Sequence, residues 1–150
     1  MEIVVIPVTP FTQNCSLIWD AGSKRGAFVD PGGDIQKLIS AASDHQVTIE
    51  KIILTHGHLD HVGGTVELAK HYDVPIIGPH LGDKFWLDAL MQQSQMFGFP
   101  PATPFVPTQW LNDKDTISVG ELTLEVLHCP GHTPGHVVLV ERTSNKVKIG

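Results

Sequence analysis

Apolar and polar positions along the chain alternate in a way that predicts short strands separated by helices. Glu2 to Val8 is rich in β-branched residues and stops at Thr9-Pro10; because Pro7 cannot donate to a ladder, this run reads as a strand near a sheet edge. The apolar runs Cys15 to Trp19 and Arg25 to Val29, joined through the turn residues Asp20-Ala21-Gly22-Ser23, read as a hairpin that ends at Asp30-Pro31-Gly32-Gly33. Asp34 then stands as an N-cap for a helix through about His45, with Ile35, Leu38, Ile39 and Ala42 at three- and four-residue spacing.

A short buried strand over Lys51 to Leu54 comes next, then a helix over Gly63 to Tyr72 with Val66 and Ala69 inward. Val74 to Ile77 reads as a strand and Gly82 to Met96 as a helix whose Phe85, Trp86, Leu90 and Met91 are core positions. A proline-rich loop from Phe99 to Pro107 follows. Thr116 to Val119 and Leu122 to Leu127 form a second hairpin around Gly120-Glu121, Val137 to Val140 is a further strand, and a last hairpin turns over Thr143-Ser144-Asn145. Strand-rich portions with helices between them predict a layered α/β or α+β arrangement.

Length and charge narrow the function classes. One hundred and fifty residues suit one domain, and the 41% hydrophobic and 17% charged residues contain neither a membrane-length apolar stretch nor a basic leader, which predicts a cytoplasmic protein. A formal charge of -6, with ten scattered Lys and Arg, argues against nucleic acid and for a small-molecule partner. Cys15 and Cys129 match no paired thiolate pattern, and Cys129 reads as a buried small hydrophobe. No feature specifies an oligomeric state.

The chemistry concentrates in Thr55-His56-Gly57-His58-Leu59-Asp60-His61, directly after an apolar run. His56 and His58, two residues apart in an extended or looped segment, project to one side and can share an ion, while Asp60 and His61 can serve that ion or a second one nearby. A second cluster, His128-Cys129-Pro130-Gly131-His132-Thr133-Pro134-Gly135-His136, also follows a predicted strand. Its rigid turns on either side of His132 would fix that imidazole. Asp30 and Thr55 read either as turn and strand-end residues or as groups that orient imidazoles. His128 and His136 read as satisfied hydrogen-bonding histidines, and His45, His71 and His80 as surface or capping ones.

With these motifs in order, the chain resembles the metallo-β-lactamase-fold hydrolases, and among them the compact hydroxyacylglutathione hydrolases (glyoxalase II). The resemblance rests on Thr12-Gln13-Asn14-Cys15, Val29-Asp30-Pro31-Gly32-Gly33, the 55–61 motif and Pro130 to His136. It implies a four-layer αββα sandwich with metals at one edge of the two sheets. It assigns His56, His58 and His132 to a first metal and Asp60 and His61 to a second, and Asp60 would also orient the nucleophile; Asp30, Thr55 and His136 are candidates for groups that support the ligands. Two divalent ions are implied, zinc foremost, with iron or manganese as alternatives.

The implied reaction is hydrolysis of an S-2-hydroxyacylglutathione such as lactoylglutathione. A mononuclear iron dioxygenase acting on persulfides, and an inactive or weakly metal-binding fragment, are the alternatives. Family members complete the site with a bridging carboxylate and one more histidine, which have no counterpart before Gly150, so a sandwich lacking its C-terminal part is expected.

Overall fold

A computed structural model describes residues 1–9, 13–98, 102, 104–142 and 147–149. Strands β1 (Glu2–Val8), β2 (Gln13–Trp19), β3 (Arg25–Val29), β4 (Thr48–Ile53) and β5 (Ile76–Ile77) lie in that order in one sheet. The first three pair antiparallel and the last three parallel. Helix α1 (Ile35–Asp44) connects β3 to β4; the short α2 (Leu59–Val62) and α3 (Thr65–Tyr72) connect β4 to β5. A 3₁₀ turn (Leu81–Asp83), α4 (Lys84–Asp88) and α5 (Leu90–Phe97) precede a second, antiparallel sheet of β6 (Thr116–Val119), β7 (Leu122–His128), β8 (Val137–Glu141) and β9 (Val147–Ile149).

Strand alternation sorts the apolar side chains into two cores. Cys15, Leu17, Trp19, Phe28 and Ile52 face the helices, where Leu38 and Ala42 of α1, Leu68 of α3, Leu87 of α4 and Leu90 of α5 meet them. Ile18, Ala27, Val29 and Ile53 face the other way, against Ile117, Val119, Leu124, Val126, Val137 and Leu139 of the second sheet. Burial on both faces is why these strands of the first sheet read as continuous apolar runs. Among the described residues every helix adds its buried apolar side chains to the first core, so they fill three of the four expected layers, αββ. No described helix is long and apolar enough to cross a membrane.

At the end of the sandwich remote from the histidines, carboxylates pin the β6–β7 turn. Glu50 accepts from the Gly120 amide at 2.8 Å and Asp20 from the Glu121 amide at 2.9 Å. Both sheets are thereby held at one end, and the strand ends at the other are left to carry the site.

Several local expectations change in the structure. Asp34 occupies the N-cap position of α1 as expected, but in the left-handed region (φ 53°) and without a side-chain capping bond; its carboxylate accepts from the Thr9 amide at 2.8 Å instead. Leu68 rather than Val66 turns inward with Ala69 in α3. The single helix expected over 82–96 breaks at Ala89, with φ -98° and ψ 13°, so α4 is little more than one turn and commits only Leu87 to the core. Phe85 and Met91 are consequently exposed, while Leu90 is buried. Cys129 is exposed, not buried: it lies just past the end of β7, beyond the alternation that buries Leu124 and Val126. The predicted Thr12, the loop positions 99–101 and 103, and the turn at 143–145 lie outside the described residues.

Leu124 is fully buried between the sheets, so Leu124→Ala should destabilise the protein by about 2–5 kcal/mol, read from the urea midpoint. A change under about 0.5 kcal/mol would contradict the inter-sheet core described here.

Candidate metal centre

The C-terminal ends of β3, β4 and β7 and the start of β8 meet at one corner of the sandwich. There the Thr55 carbonyl, just past β4, accepts from the Val137 amide of β8 at 2.8 Å, which ties the two sheets together beside the histidine motif. His56 and His58 follow β4, His58 in extended backbone at the start of α2, so Asp60 and His61 lie on the first turn of a helix that the chain pattern does not suggest. Gly32 makes this possible, since any β-carbon there would overlap the Asp60 carbonyl.

The corner gathers imidazoles from both sequence clusters. Around the His56 ring, the centroids of His61, His136, His132 and His58 lie at 4.0, 4.8, 5.1 and 5.3 Å. One ring nitrogen each from His56, His58 and His132 lie within 4.8 Å of one another, as do donor atoms of Asp30, His56 and His61. Asp60 belongs to neither group, although its charge reaches both His58 and His61. His128 lies apart from the trio: its Nε2–H donates to the Pro134 carbonyl at 2.8 Å and its ring stacks on His80 at 3.9 Å. His80 caps the 3₁₀ turn, its Nδ1 accepting from the Gly82 amide.

Hydrogen bonds decide which nitrogen is free. Thr55 Oγ1 gives its one proton to Asp30 Oδ2 at 2.5 Å and so accepts from His56 Nδ1–H at 3.1 Å. That arrangement leaves His56 Nε2 as a bare lone pair, and it is buried with no protein partner. Asp30 also accepts from the Thr55 amide at 2.8 Å and from His61 Nδ1 at 3.3 Å, which turns the other nitrogen of His61 free as well. Asp30 reaches these groups from a left-handed backbone, φ 57°. His136 Nε2 is likewise buried and without a partner.

The electrostatics favour the neutral, metal-competent form of His56, His58 and His136. Burial, then the neighbouring His61, His136, His58 and His132, push the His56 pKa down from 6.5 to about 2. Burial followed by His132 lowers His58, opposed by Asp60 and Asp83, and burial is also the main cause lowering His136. Burial would lower His61 too, but its hydrogen bond to Asp30 and the charges of Asp30 and Asp60 raise it instead.

Three nitrogens this close, one of them buried and unsatisfied, fit a divalent ion of the zinc type: tetrahedral bonds of about 2.0–2.1 Å put ligand nitrogens about 3.3 Å apart.

Two further side chains, which the sequence reading passed over, hold the ligand loops. Asp83, fully buried, accepts from the Gly57 amide, Thr133 Oγ1 and the Gly135 amide. Gln93 of α5 accepts from the Leu59 amide at 2.9 Å and donates to the Trp86 carbonyl at 2.8 Å. Trp86, expected in the core, packs edge to face on His58 at 4.6 Å. Neither Asp83 nor Gln93 had a signal in the chain, since each stands beside other polar residues, Lys84 for the one and Gln92, Ser94 and Gln95 for the other, and nothing local sets it apart.

Comparison with known proteins agrees with the layered fold. Residues 8–145 match the model of the metallo-beta-lactamase superfamily. The chain is 44% identical over 142 residues to the hydroxyacylglutathione hydrolase GloC of Haemophilus influenzae, covering 94% of this chain and 66% of that one. It is 30% identical to the hydroxyacylglutathione hydrolase of Hahella chejuensis, covering 89% of this chain and 44% of the relative. Among solved structures, the BLEG-1 B3 metallo-beta-lactamase superposes with a TM-score of 0.83 at 30% identity, covering 94% of this chain and 68% of that one. TTHA1623 in a di-iron-bound form superposes at 0.80 with 27% identity, covering 92% and 66%. The chain thus spans from under half to about two thirds of the length of these relatives.

The depressed His56 has a consequence for the metal-free protein. Between pH 6.5 and about 2 the unfolded chain takes up a proton that native His56 refuses, so its contribution is fully present above pH 6.5 and declines as the pH falls below it. His58 and His136 act in the same direction and His61 against it. The metal-free urea midpoint should therefore be lower at about pH 5 than at about pH 7.5. An equal or higher midpoint at the acid pH would contradict buried neutral imidazoles.

Proposed function

This chain belongs to the metallo-beta-lactamase superfamily, and we propose that within it the protein is a metal-dependent thioester hydrolase acting on S-2-hydroxyacylglutathione, lactoylglutathione being the representative substrate. The observation that carries the metal dependence is the meeting of His56, His58 and His132 around a buried, unpartnered His56 Nε2. The substrate class is supported by the likeness to the GloC enzyme over 94% of the chain.

In this proposal His56, His58 and His132 hold one divalent ion, and Asp60 and His61 contribute to a second. Zinc suits the nitrogen and carboxylate donors, with iron or manganese as the alternatives. The chemistry that such ions supply when bound is nucleophilic water at neutral pH and polarisation of the thioester carbonyl.

The chain's own residues do the rest. Thr55 and Asp30 keep the His56 Nδ1 proton in place so that the buried Nε2 offers its lone pair as a ligand, and Asp30 holds the Nδ1 proton of His61 in the same way. Asp60, at the head of α2, orients the attacking water towards the thioester carbon. The thiolate leaves as glutathione, and a 2-hydroxy acid is released. The formal charge of -6 gives no general attraction for an anionic tripeptide, so substrate capture relies on local cationic groups and the metals.

The full-length protein should contain about two metal ions per chain and cleave lactoylglutathione, and His56→Ala should lower kcat/KM by at least about 100-fold together with metal content. Unchanged turnover in His56→Ala would sink the metal-dependent reading. One iron per chain with oxygen uptake on glutathione persulfide would replace the hydrolase by a dioxygenase.

A further inference from the structure

We propose that Asp83 is a positioning residue of the metal centre: its buried carboxylate clamps the loop carrying His56 and His58 to the loop carrying His132, so that their nitrogens face one another before a metal arrives. Asp83 is fully buried and belongs to neither group of side chains able to hold an ion. Its Oδ2 accepts from the Gly57 amide at 2.9 Å and from Thr133 Oγ1 at 2.7 Å, and its Oδ1 accepts from the Gly135 amide at 2.7 Å.

The placement of those donors is what gives the carboxylate its role. Gly57 lies between His56 and His58, and Thr133 directly follows His132, so one oxygen atom joins a backbone amide of the first ligand loop to a side-chain hydroxyl of the second. Each loop reaches Asp83 from a different sheet: the first leaves β4, the second joins β7 to β8. Close approach is built in, since a β-carbon on Gly135 would stand 2.5 Å from the Asp83 amide nitrogen and 2.7 Å from the His80 carbonyl. The second loop gains further hold from the His80 amide on the Gly135 carbonyl and from His128 Nε2 on the Pro134 carbonyl.

A carboxylate has only acceptors, and three of its lone-pair directions are filled by donors from the two loops. Asn at 83 keeps the volume but presents an amide group to one of these donors. The clamp then loses an arm and the spacing of the nitrogens is released.

The inference rests on His56, His58 and His132 as ligands, and the test separates the two. Zinc affinity, by competition with a chromophoric chelator, and the metal-free urea midpoint are measured for the full-length wild type, Asp83→Asn, Thr133→Val and Leu124→Ala. Asp83→Asn should weaken zinc binding by about 10–100-fold, and Thr133→Val should weaken it in the same direction by a smaller factor. Leu124→Ala should lower the midpoint while keeping zinc affinity within about twofold.

If Asp83→Asn does not fold, Thr133→Val against Leu124→Ala decides alone. Zinc affinity of the folded clamp variants within about twofold of wild type, or an equal loss in Leu124→Ala, overturns the positioning role. A wild type that binds no zinc overturns the ligand assignment itself, and the positioning role with it.

Discussion

Imidazoles from separate loops crowd round His56 with a lone pair left bare, and the rest of the corner is arranged to permit this. A buried acceptor without a partner costs about 1–3 kcal/mol, and protonation of such a group in a cluster of like groups costs more. The structure avoids the second cost by burial, which holds His56 neutral, and by the Thr55–Asp30 pair, which occupies the other ring nitrogen. The unmet acceptor that remains is what an ion would satisfy. Asp30 holds His61 directly and His56 through the Thr55 hydroxyl, so both groups of donor atoms share one anchoring carboxylate.

The sandwich supplies the rigidity. Alternating side chains commit both faces of β2, β3 and β4 to cores, which leaves their ends as the places where polar groups can emerge. At the remote end, Asp20 and Glu50 fasten the β6–β7 turn; at the histidine end, the Thr55 carbonyl meets the Val137 amide. A corner bounded by strand ends of two sheets is a natural site in layered α/β folds, because several loops reach it and each is held by a buried strand. The segment 80–97 closes that corner from outside through Asp83, Trp86 and Gln93.

Likeness to relatives and physical geometry answer different questions. Membership of the superfamily rests on a match over residues 8–145, and the TM-scores of 0.83 and 0.80 agree with the layered fold. Neither says why the 55–61 motif curls into α2 or why Trp86 lies on His58. Those follow from the missing β-carbon at Gly32, the amide held by Gln93 and the break at Ala89.

The chain by itself determined the strands, their two-sided burial and the identity of the histidine motif, because each is a local pattern of side-chain type and spacing. Strand β1 begins and ends with its β-branched run, β3 spans the predicted Arg25 to Val29, and His56 and His58 are marked by two-residue spacing alone. Tertiary structure decided what lies between distant positions. His132 meets His56 only because β7 and β8 bring their joining loop to the end of β4, and Asp83 reaches Thr133 across fifty residues of chain. It also decided exposure: Phe85 and Cys129 carry apolar side chains that no local pattern distinguishes from core, yet the break at Ala89 turns the first outward and the end of β7 at His128 leaves the second outside the sheet. A single aspartate or glutamine in a polar run carries no periodicity, so its part in the site appears only when the backbone amides it accepts have been brought to it.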